Sequence, residues 1–432
     1  MKETTTRRIG LEFGDPPAKS GKQDLRRRNT LLLLHLIQSN GPSSQAELAR
    51  RSGLSPAAVC GILQPLIRTR ILIEEGKSSA GPGRRASILA FNPHAAITAG
   101  ICIDLEECQV ALVDLSGRVL GQTAAHYPRY AEPDEVVELA AGCLAEIEKN
   151  NSLPRSAIVG AGVAIPGLIN SRTGLVNVAA NLGWRNVQLR ALLERRLGVP
   201  VRVEHLGRAK AQAEALWGKG RNHRNFVCLE IGSGIGAGIV VHGRILRGAK
   251  GMGGEVGHMP IDPAGPACAC GLRGCWEAFC AGPAIRKRMA QKLEALAGSP
   301  GALNPMSSLR DLNAAFERND AVAIEVIEES ARHLARGLAG LIWNFDPAFV
   351  LLTGPVVNDC PSLVAAVKQV MNTLGGAARS FEVPLIMETE HAATGVVAAS
   401  APVSLRFLED YAAGREEPPV VSGRPRVGVV HA

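Results

Sequence analysis

From residue 95 onward the chain alternates short apolar runs with longer amphipathic segments, and this alternation constrains the fold more than any other feature. Residues 158–165 form an apolar run typical of a buried strand, residues 133–150 carry the periodicity of an amphipathic helix, and residues 321–345 predict a long helix. Strands that alternate with helices indicate an α/β architecture. Because 432 residues are too many for one ordinary domain, we expect a two-lobed body over residues 95–412, with a ligand cleft.

Composition excludes several classes of protein. Hydrophobic residues make up 46% and charged residues 20% of the chain, which fits a globular protein and excludes a largely disordered or fibrous one. No stretch reaches the ~20 apolar residues that a membrane-spanning helix needs. The first residues, Met-Lys-Glu-Thr-Thr-Thr-Arg-Arg, are not followed by the apolar segment of a secretory signal. We therefore expect a cytoplasmic protein without membrane insertion.

The positive net charge is confined to the start of the chain. Residues 1–90 hold 15 Lys and Arg against 7 Asp and Glu, whereas the other 342 residues hold 33 of each sign. A basic segment on a neutral body predicts contact with a polyanion, most often nucleic acid. The alternative is a solvated basic tail. Residues 1–24 are polar and contain Pro16 and Pro17, so we interpret them as a mobile basic arm, and residues 413–432 as a flexible tail.

Residues 25–92 carry the signals of a winged helix-turn-helix domain, which we call the head. A helix is predicted over residues 25–39, and residues 44–47 (Ser-Gln-Ala-Glu) form a capping box that begins a second helix. Gly53 supplies the tight turn, and residues 55–56 (Ser-Pro) begin a third helix with Ser as N-cap and Pro at the first helical position. Two such helices joined by a short turn are typical of a helix-turn-helix whose second helix lies in the DNA major groove.

Two predicted strands, over residues 71–73 and 86–90, flank a stiff basic tip and complete the wing. Arginines at such a tip suit a narrow minor groove or phosphates. Small residues early in the third helix, up to Cys60 and Gly61, are placed to face base edges. The predicted DNA contacts are Ser44, Gln45, Ser55, Ala57, Ala58, Arg68, Arg84 and Arg85. Pro65 is expected to remove one backbone hydrogen bond and to bend the third helix. The alternative is a three-helix module that binds protein.

Four potential metal ligands stand close together in the sequence. Seven of the ten cysteines are scattered, but Cys268, Cys270 and Cys275 follow His258 in the pattern His-x9-Cys-x-Cys-x4-Cys. One imidazole and three thiolates form a ligand set that Zn²⁺ favours, and four protein ligands leave no position for a reactive water. The sequence therefore predicts a structural zinc ion in residues 254–277, which we call the metal loop. The alternative is three free thiols and an unrelated histidine.

The metal loop also resembles the signature of a known family. Its strings Gly254-Glu255-Val256-Gly257-His258 and Cys268-Ala269-Cys270-Gly271-Leu272-Arg273-Gly274-Cys275-Trp276-Glu277 are similar to those of the ROK family, named for repressors, open reading frames and kinases. In the head, Ala46-Glu47-Leu48-Ala49 and Gly53-Leu54-Ser55 resemble the winged helix of the N-acetylglucosamine and xylose repressor branch. The resemblance covers residues 25 to about 400. It implies an N-terminal winged helix followed by an actin-like, sugar-kinase-like two-lobed α/β body.

The resemblance further implies a sugar site. The positions that match sugar contacts of the family are Asn181, His205, Glu255, His258 and Glu277. Carboxylates and an imidazole suit this role because they hydrogen-bond adjacent hydroxyls in a geometry that discriminates between sugars. The alternative for each carboxylate is an ordinary surface charge.

The resemblance identifies three segments that a kinase of the family uses for phosphoryl transfer. Each can be compared with this sequence. Where the family has a phosphate loop Asp-x-Gly-Gly-Thr, residues 104–108 read Asp-Leu-Glu-Glu-Cys, which removes the glycines and adds two carboxylates. Leu206 takes the position of the catalytic aspartate, and loss of a general base lowers rates by ~10²–10⁴. The glycine loop of residues 232–238 survives, although such a loop also serves as a tight turn. We therefore predict no catalytic residues and no kinase activity.

Together these patterns predict a sugar-responsive DNA-binding transcription regulator, a repressor of carbohydrate genes. We expect the head to bind a double-stranded DNA operator as part of a homodimer or homotetramer. A sugar or sugar derivative would favour one arrangement of the lobes and so change DNA binding. One alternative is an ATP-dependent hexose or amino-sugar kinase with a fused DNA-binding head. Another is a protein-interaction switch whose body is titrated by a component of a membrane transporter.

Overall fold

The computed structural model of the protein describes residues 21–77, 87–295, 303–373, 383–388 and 395–415. These residues divide into two compact units. The first unit holds the residues up to Arg224, the short segment His242–Arg244 and the C-terminal segment from residue 395. The second unit holds Asn225–Val241 and the described residues from Ile245 to Glu388. Each unit has its own sheet and its own hydrophobic core.

The head contains three helices and a small antiparallel sheet. Its elements are α1 (Lys22–Asn40), β1 (Ser43–Ser44), α2 (Gln45–Ser52), α3 (Pro56–Arg68), β2 (Leu72–Lys77) and β3 (Ser87–Phe91), with the strands in the order β1-β3-β2. Ser44 begins α2 because its hydroxyl accepts a hydrogen bond from the Glu47 N–H at 3.2 Å, and Gly53 ends that helix in the left-handed conformation (φ 71°). Ser55 caps α3 in the same way, through the Ala58 N–H at 3.3 Å.

The helix-turn-helix and both strands of the wing are confirmed, with shifted ends. Helix α1 begins at Lys22 rather than at residue 25, and β2 extends to Lys77. Helix α3 continues through Pro65 to Arg68, and Pro65, having no N–H, cannot donate within it. Residues 78–86, which include Arg84 and Arg85, lie outside the described residues. Their predicted contacts with DNA therefore stay predictions.

A mixed five-stranded sheet forms the framework of the first unit. Its strands are β4 (Ile97–Ile103), β5 (Glu107–Asp114), β6 (Val119–His126), β7 (Ile158–Ile165) and β11 (Val201–His205). They pair in the order β11-β7-β4-β5-β6, parallel from β11 to β4 and antiparallel from β4 to β6. A three-stranded sheet and four helices complete the body of this unit: β8 (Leu168–Asn170), β9 (Leu175–Ala179), β10 (Trp184–Val187), α4 (Pro133–Asn151), α5 (Leu189–Leu197), α6 (Leu206–Leu216) and α13 (Gly395–Ala412).

Helix α13 packs backbone to backbone against the centre of the large sheet. A Cβ atom on Gly100 of β4 would come within 1.9 Å of Val396 O, and one on Gly162 of β7 within 1.8 Å of Ala399 O. Glycine permits this approach because it carries no side chain. The two glycines therefore fix how closely α13 lies on β4 and β7.

The far end of α13 enters the core of the head. Buried side chains of the head and of the body form one cluster, which includes Leu33, Leu63, Leu115, Phe407 and Leu408. Two polar contacts hold the same junction. The hydroxyls of Thr69 and Tyr411 lie 2.7 Å apart, and the Ser39 hydroxyl donates to Arg221 O at 3.0 Å. The head is thus packed into the first unit by a shared core.

The second unit is built on another mixed five-stranded sheet. Its strands are β12 (Phe226–Ile231), β13 (Ile235–Val241), β14 (Arg244–Ile245), β15 (Val350–Thr353) and β16 (Leu385–Met387), in the order β14-β13-β12-β15-β16. Its helices are α7 (Trp276–Cys280), α8 (Gly282–Ala295), α9 (Leu309–Glu317), α10 (Ala321–Phe345), α11 (Pro355–Asp359) and α12 (Pro361–Thr373). Trp276 is fully buried, and a Cβ atom on Gly337 of α10 would come within 2.1 Å of its indole. This contact seats the end of the metal loop on α10.

The α/β prediction is confirmed in both units. Residues 158–165 form β7, and the helix predicted over residues 133–150 extends to Asn151 as α4. The long helix predicted over residues 321–345 is α10. Within the described parts of the chain, no helix combines the length and the apolar character needed to cross a membrane.

Gly162→Ala tests the close packing of α13. The new methyl group would overlap the backbone of α13, so we expect the free energy of unfolding to fall by about 1–3 kcal/mol in urea denaturation. Gly142→Ala is the matched control, because it adds a methyl group on the exposed side of α4 where nothing lies within 4 Å. That variant should gain about 0.5–1 kcal/mol. Equal stabilities of the two variants would contradict the packing.

Candidate functional site

Four metal-ligating side chains meet in the second unit. The ligand atoms of His258, Cys268, Cys270 and Cys275 all lie within 4.8 Å of one another. Cys268 Sγ is 3.6 Å from His258 Nδ1, and Cys270 Sγ is 3.7 Å from Cys275 Sγ. A tetrahedral ion with metal–sulfur bonds of ~2.3 Å holds two sulfurs ~3.8 Å apart. The four residues that the spacing selected are therefore arranged so that they could hold one metal ion.

Backbone geometry folds the metal loop around this point. The Cys268 N–H donates to Leu272 O at 2.8 Å, which closes a tight turn over the sulfurs. Gly271 and Gly274 have φ values of 92° and 69°, in the left-handed region that favours glycine. At Gly274 a Cβ atom would also come within 1.6 Å of Asp262 O. The sequence places glycine where the loop must reverse.

The environment of the thiols differs along the loop. Cys268 and Cys275 are buried, whereas Cys270 is exposed and His258 is half-buried. Burial and the neighbouring thiols raise the pKa of Cys275 to about 12. Without an ion this thiol holds its proton at neutral pH, so a metal that binds there must displace the proton.

Glu277, a predicted sugar contact, lies against the surviving glycine loop. Its Oε2 accepts a hydrogen bond from the Ile235 N–H at 3.0 Å, and a Cβ atom on Gly234 would come within 2.5 Å of the same oxygen. Glu277 follows Cys275 at the start of α7, so the metal loop positions its carboxylate. The sequence did not predict this contact, because it joins residues 42 positions apart.

The other predicted sugar contacts lie in both units. Glu255 and His258 are near each other in the second unit, where the His258 N–H donates to Glu255 O at 3.2 Å. Asn181 and His205 belong to the first unit: Asn181 is half-buried between β9 and β10, and His205 is buried at the end of β11. Burial and the Arg208 charge lower the pKa of His205 to about 3, so its ring is neutral at physiological pH.

A buried ion pair, which the sequence patterns did not predict, lies beside Leu206. Glu204 accepts from Arg208 Nε at 2.7 Å and from the Ser171 hydroxyl at 2.5 Å. The side chains of Glu204 and Arg208 are 2% and 0% exposed. The sequence signal for this ion pair was the i, i+4 spacing of Glu204 and Arg208 across the junction of β11 and α6. The Glu204 carboxylate is thus engaged by Arg208 and Ser171 at the junction of β11 and α6.

The segment that replaces the first phosphate loop is a tight hairpin. The Asp104 N–H donates to Glu107 O at 3.0 Å, and the Leu105 N–H donates to the Asp104 side chain at 2.8 Å. The Tyr127 hydroxyl donates to Asp104 O. This turn has no glycine-rich concave surface of backbone N–H groups with which to cradle a phosphate.

A further carboxylate stands beside the glycine loop. Glu230 lies at the end of β12, in register with Thr353 of β15. A Cβ atom on Gly354 would come within 2.6 Å of Glu230 Oε1, and one on Gly232 within 3.5 Å. Negative charge therefore lies where the glycine loop and the end of β15 meet. The sequence signal for Glu230 was an acidic residue immediately before the loop.

Four of the six predicted DNA contacts that the structure describes lie on the exposed side of the head. Ser55, Ala57, Ala58 and Arg68 are exposed on or beside α3, whereas Ser44 and Gln45 are half-buried at the start of α2. Cys60 is half-buried and does not share the exposed face. Gln64 is exposed and was missed. Gln64 follows Ala57 by seven residues, which is two helical turns, so the two residues lie on the same face of α3. This spacing could have identified Gln64 from the sequence.

Comparison with known proteins identifies the class. Residues 98–403 match the ROK family, and residues 26–72 match the winged helix-turn-helix DNA-binding domain. Together with the geometry above, these matches define a DNA-binding regulator that joins a winged helix to a sugar-kinase-like α/β body. The chain belongs to the ROK family.

Two characterised relatives are similar over most of their length. The xylose repressor of Bacillus spizizenii is 27% identical over 340 residues, which cover 79% of this chain and 85% of the repressor. The DNA-binding transcriptional dual regulator NagC of Escherichia coli strain K12 is 29% identical over 377 residues, which cover 87% of this chain and 92% of NagC. Both relatives are named as regulators.

Solved structures with the same body include a regulator and a kinase. A ROK family transcriptional regulator, described as a homologue of the E. coli MLC protein, has a TM-score of 0.76 and 27% identity, and the match covers 90% of this chain and 98% of that one. A ROK family glucokinase from Streptomyces griseus, in complex with glucose and AMPPNP, has a TM-score of 0.62 and 26% identity over 71% of this chain and 98% of its own. The fold alone therefore does not separate regulators from kinases, and the site residues must do so.

Arg208→Met tests the buried ion pair. Removing one partner leaves the Glu204 carboxylate buried without its counter-charge, so we expect a loss of about 3–5 kcal/mol in the free energy of unfolding. The double variant Glu204→Leu, Arg208→Met removes both charges and should recover most of that loss in the same urea titration. A single variant as stable as the parent protein would show that the pair is not buried as described.

Proposed function

We propose that this protein is a sugar-responsive transcription regulator that represses carbohydrate genes and no longer transfers phosphoryl groups. The observation that carries the proposal is a capped helix-turn-helix packed into a kinase-type body whose base position holds Leu206. A repressor needs both parts. The head supplies binding to a double-stranded DNA operator, and the body supplies a ligand-dependent equilibrium.

Exposed basic groups of the head support the DNA-binding role. Arg50 of α2 is 76% exposed, and Arg68 and Arg70 are exposed at the end of α3. The side chains of Ser44 and Gln45 lie at the start of α2, where backbone N–H groups favour a phosphate. Such contacts position a protein on DNA, and they weaken steeply as salt is raised.

The sugar role is supported by the chemistry of the predicted contacts and by the names of the relatives. Glu255, His258 and Glu277 lie on one continuous segment of the second unit, with Glu277 held on the glycine loop. Asn181 and His205, in the first unit, stay separate predictions of sugar contact. A xylose repressor of Bacillus spizizenii and an N-acetylglucosamine repressor of Escherichia coli O6:H1 are among the relatives, so a pentose, a hexose or an amino sugar is the proposed effector class.

Three local features support the loss of phosphoryl transfer. The first phosphate loop is replaced by the tight hairpin at residues 104–107, Leu206 cannot accept a proton, and Glu230 places a carboxylate at the surviving glycine loop. Like charges repel nucleotide phosphates there. Losing the base and a phosphate cradle together leaves no group to activate the sugar or to neutralise the γ-phosphate.

We also propose that the metal loop holds one structural Zn²⁺ through His258, Cys268, Cys270 and Cys275. The Sγ atoms of Cys270 and Cys275 lie at a separation that suits a tetrahedral ion, and so do Cys268 Sγ and His258 Nδ1. Four protein ligands leave no open position, so the ion supplies stability and no reactive water. Its role is to hold the segment that carries Glu277 against the glycine loop.

The working unit is proposed to be a cytoplasmic homodimer or homotetramer, since repressors with one winged helix per chain read paired half-sites. Its proposed domains are the head, which begins with α1 at Lys22 and extends to residue 92, and the sugar-binding body of residues 95–412. Effector binding would change the spacing of the heads by favouring one arrangement of the body.

A combined binding and turnover assay tests the proposal. The purified full chain should bind a duplex carrying upstream sequences of sugar-utilisation genes, with affinity that falls steeply with salt and changes on adding an effector sugar. A coupled ATP assay across hexoses, pentoses and amino sugars should show no turnover above background. Robust ATP-dependent phosphorylation would instead establish the fused kinase, the second candidate, which the intact glycine loop of residues 232–238 favours.

Glu255→Ala tests the sugar site by itself. Removing a carboxylate that binds sugar hydroxyls should weaken the effector response by roughly 10- to 100-fold in sugar titrations, since a charged hydrogen bond contributes about 1.5–3 kcal/mol. DNA binding without sugar should not change. Glu294→Ala, an exposed carboxylate on α8, is the matched control. If both variants respond like the parent, the sugar site lies elsewhere.

Cys270→Ser tests the zinc proposal. Loss of one of four ligands should lower bound zinc from about one ion per chain to well below that in mass spectrometry of the metal content, and should lower the midpoint of thermal unfolding by roughly 5–10 °C. Cys60→Ser, on α3 in the head, is the control and should keep its zinc. Unchanged zinc and unchanged unfolding in Cys270→Ser would rule out the proposed site.

A further inference from the structure

The recognition helix α3 presents a narrow exposed stripe. Ala57, Gly61, Gln64 and Arg68 are exposed, and Val59, Ile62, Leu63 and Leu66 are buried in the head. At 100° per residue the four exposed residues fall on one side of the helix. Gln64 lies ~10 Å along the axis from Ala57, and Arg68 lies one turn beyond Gln64.

The side chains of this stripe differ sharply in what they can recognise. Ala57 and its neighbour Ala58 carry single methyl groups, and Gly61 carries no side chain. Arg68 stands at the last residue of α3, next to its C-cap Thr69. Gln64 is therefore the one residue within the body of the exposed stripe whose side chain can both donate and accept hydrogen bonds. A glutamine amide matches the N6 donor and N7 acceptor of adenine.

We infer that Gln64 is the principal base-reading residue of the protein and that it selects an adenine in each half-site of the operator. The inference rests on the proposed DNA-binding function and adds the specificity of that site. Ala57 and Ala58, ~10 Å along the helix axis from Gln64, contact thymine methyl groups in the same half-site, because a methyl side chain has no hydrogen bond to offer. Gly61 brings the helix close enough for the Gln64 amide to reach the floor of the major groove.

The burial pattern explains why no other position of α3 takes this role. Cys60 and Ile67 are half-buried, and the Ser55 hydroxyl accepts the Ala58 N–H as the cap of the helix. Arg68 at the end of the helix is placed to contact phosphate, which adds affinity without sequence preference. Direct readout by α3 is consequently concentrated in one amide and a pair of methyl groups.

The experiment selects bound duplexes from a random double-stranded library with the full chain, with and without xylose and N-acetylglucosamine. The expected product is a repeated half-site with one invariant A·T pair and further thymines. Replacing the adenine by 7-deazaadenine removes its N7 acceptor and should weaken binding. Replacing those thymines by deoxyuridine should weaken binding about fourfold for each methyl group that is lost.

Gln64→Ala separates base reading from general DNA affinity. This variant should lose its preference at the invariant pair by roughly 5- to 150-fold and should no longer respond to 7-deazaadenine. Gln45→Ala, the matched amide of α2, should weaken binding to all sequences alike. If Gln64→Ala keeps every base preference of the parent, the inference is wrong, while the proposed regulator function still stands. If the parent prefers no duplex over random DNA, both fail.

Discussion

The structure of the first unit depends on a backbone-to-backbone contact between α13 and the two central strands of the large sheet. Glycine at positions 100 and 162 lets the helix approach until its carbonyls fill the space of two missing side chains. Helix α13 runs for 18 residues, with Pro402 inside it, from this contact to the head. Its far end carries Phe407 and Tyr411 into the head. The sheet and the head are therefore joined through one helix.

In the second unit, the metal loop holds separate parts of the structure together. There the metal loop ends in α7, where Trp276 is buried against α10 and Glu277 accepts the N–H of Ile235. The loop thus couples a proposed ion site, a proposed sugar contact and the glycine loop within a short segment of chain. In a kinase, phosphate oxygens would approach such a glycine loop. Here the carboxylates of Glu230 and Glu277 lie beside the loop.

Much of the fold and of the metal site could be predicted from the sequence, because these features depend on residues that are close together in the chain. The caps at Ser44 and Ser55 and the His-Cys spacing act over a few residues, so their patterns survive in the sequence. Contacts between distant segments were not predictable, since periodicity tells which face of a helix is apolar but not what covers it. Thr69 and Tyr411 are 342 residues apart, and only the folded chain brings them together. The roles of the predicted sugar and DNA contacts stay predictions, because geometry alone does not reveal a ligand.

The shared core of the head has a consequence for biosynthesis. Phe407 and Leu408 are part of the hydrophobic cluster that also contains Leu33 and Leu63, so the interior of the head is complete only after α13 has been synthesised. Domains of multidomain chains generally fold as units in the order of their synthesis, and this arrangement departs from that order. A nascent or prematurely terminated chain would therefore carry a head whose core is incomplete. Stable folding of the DNA-binding head would then depend on α13.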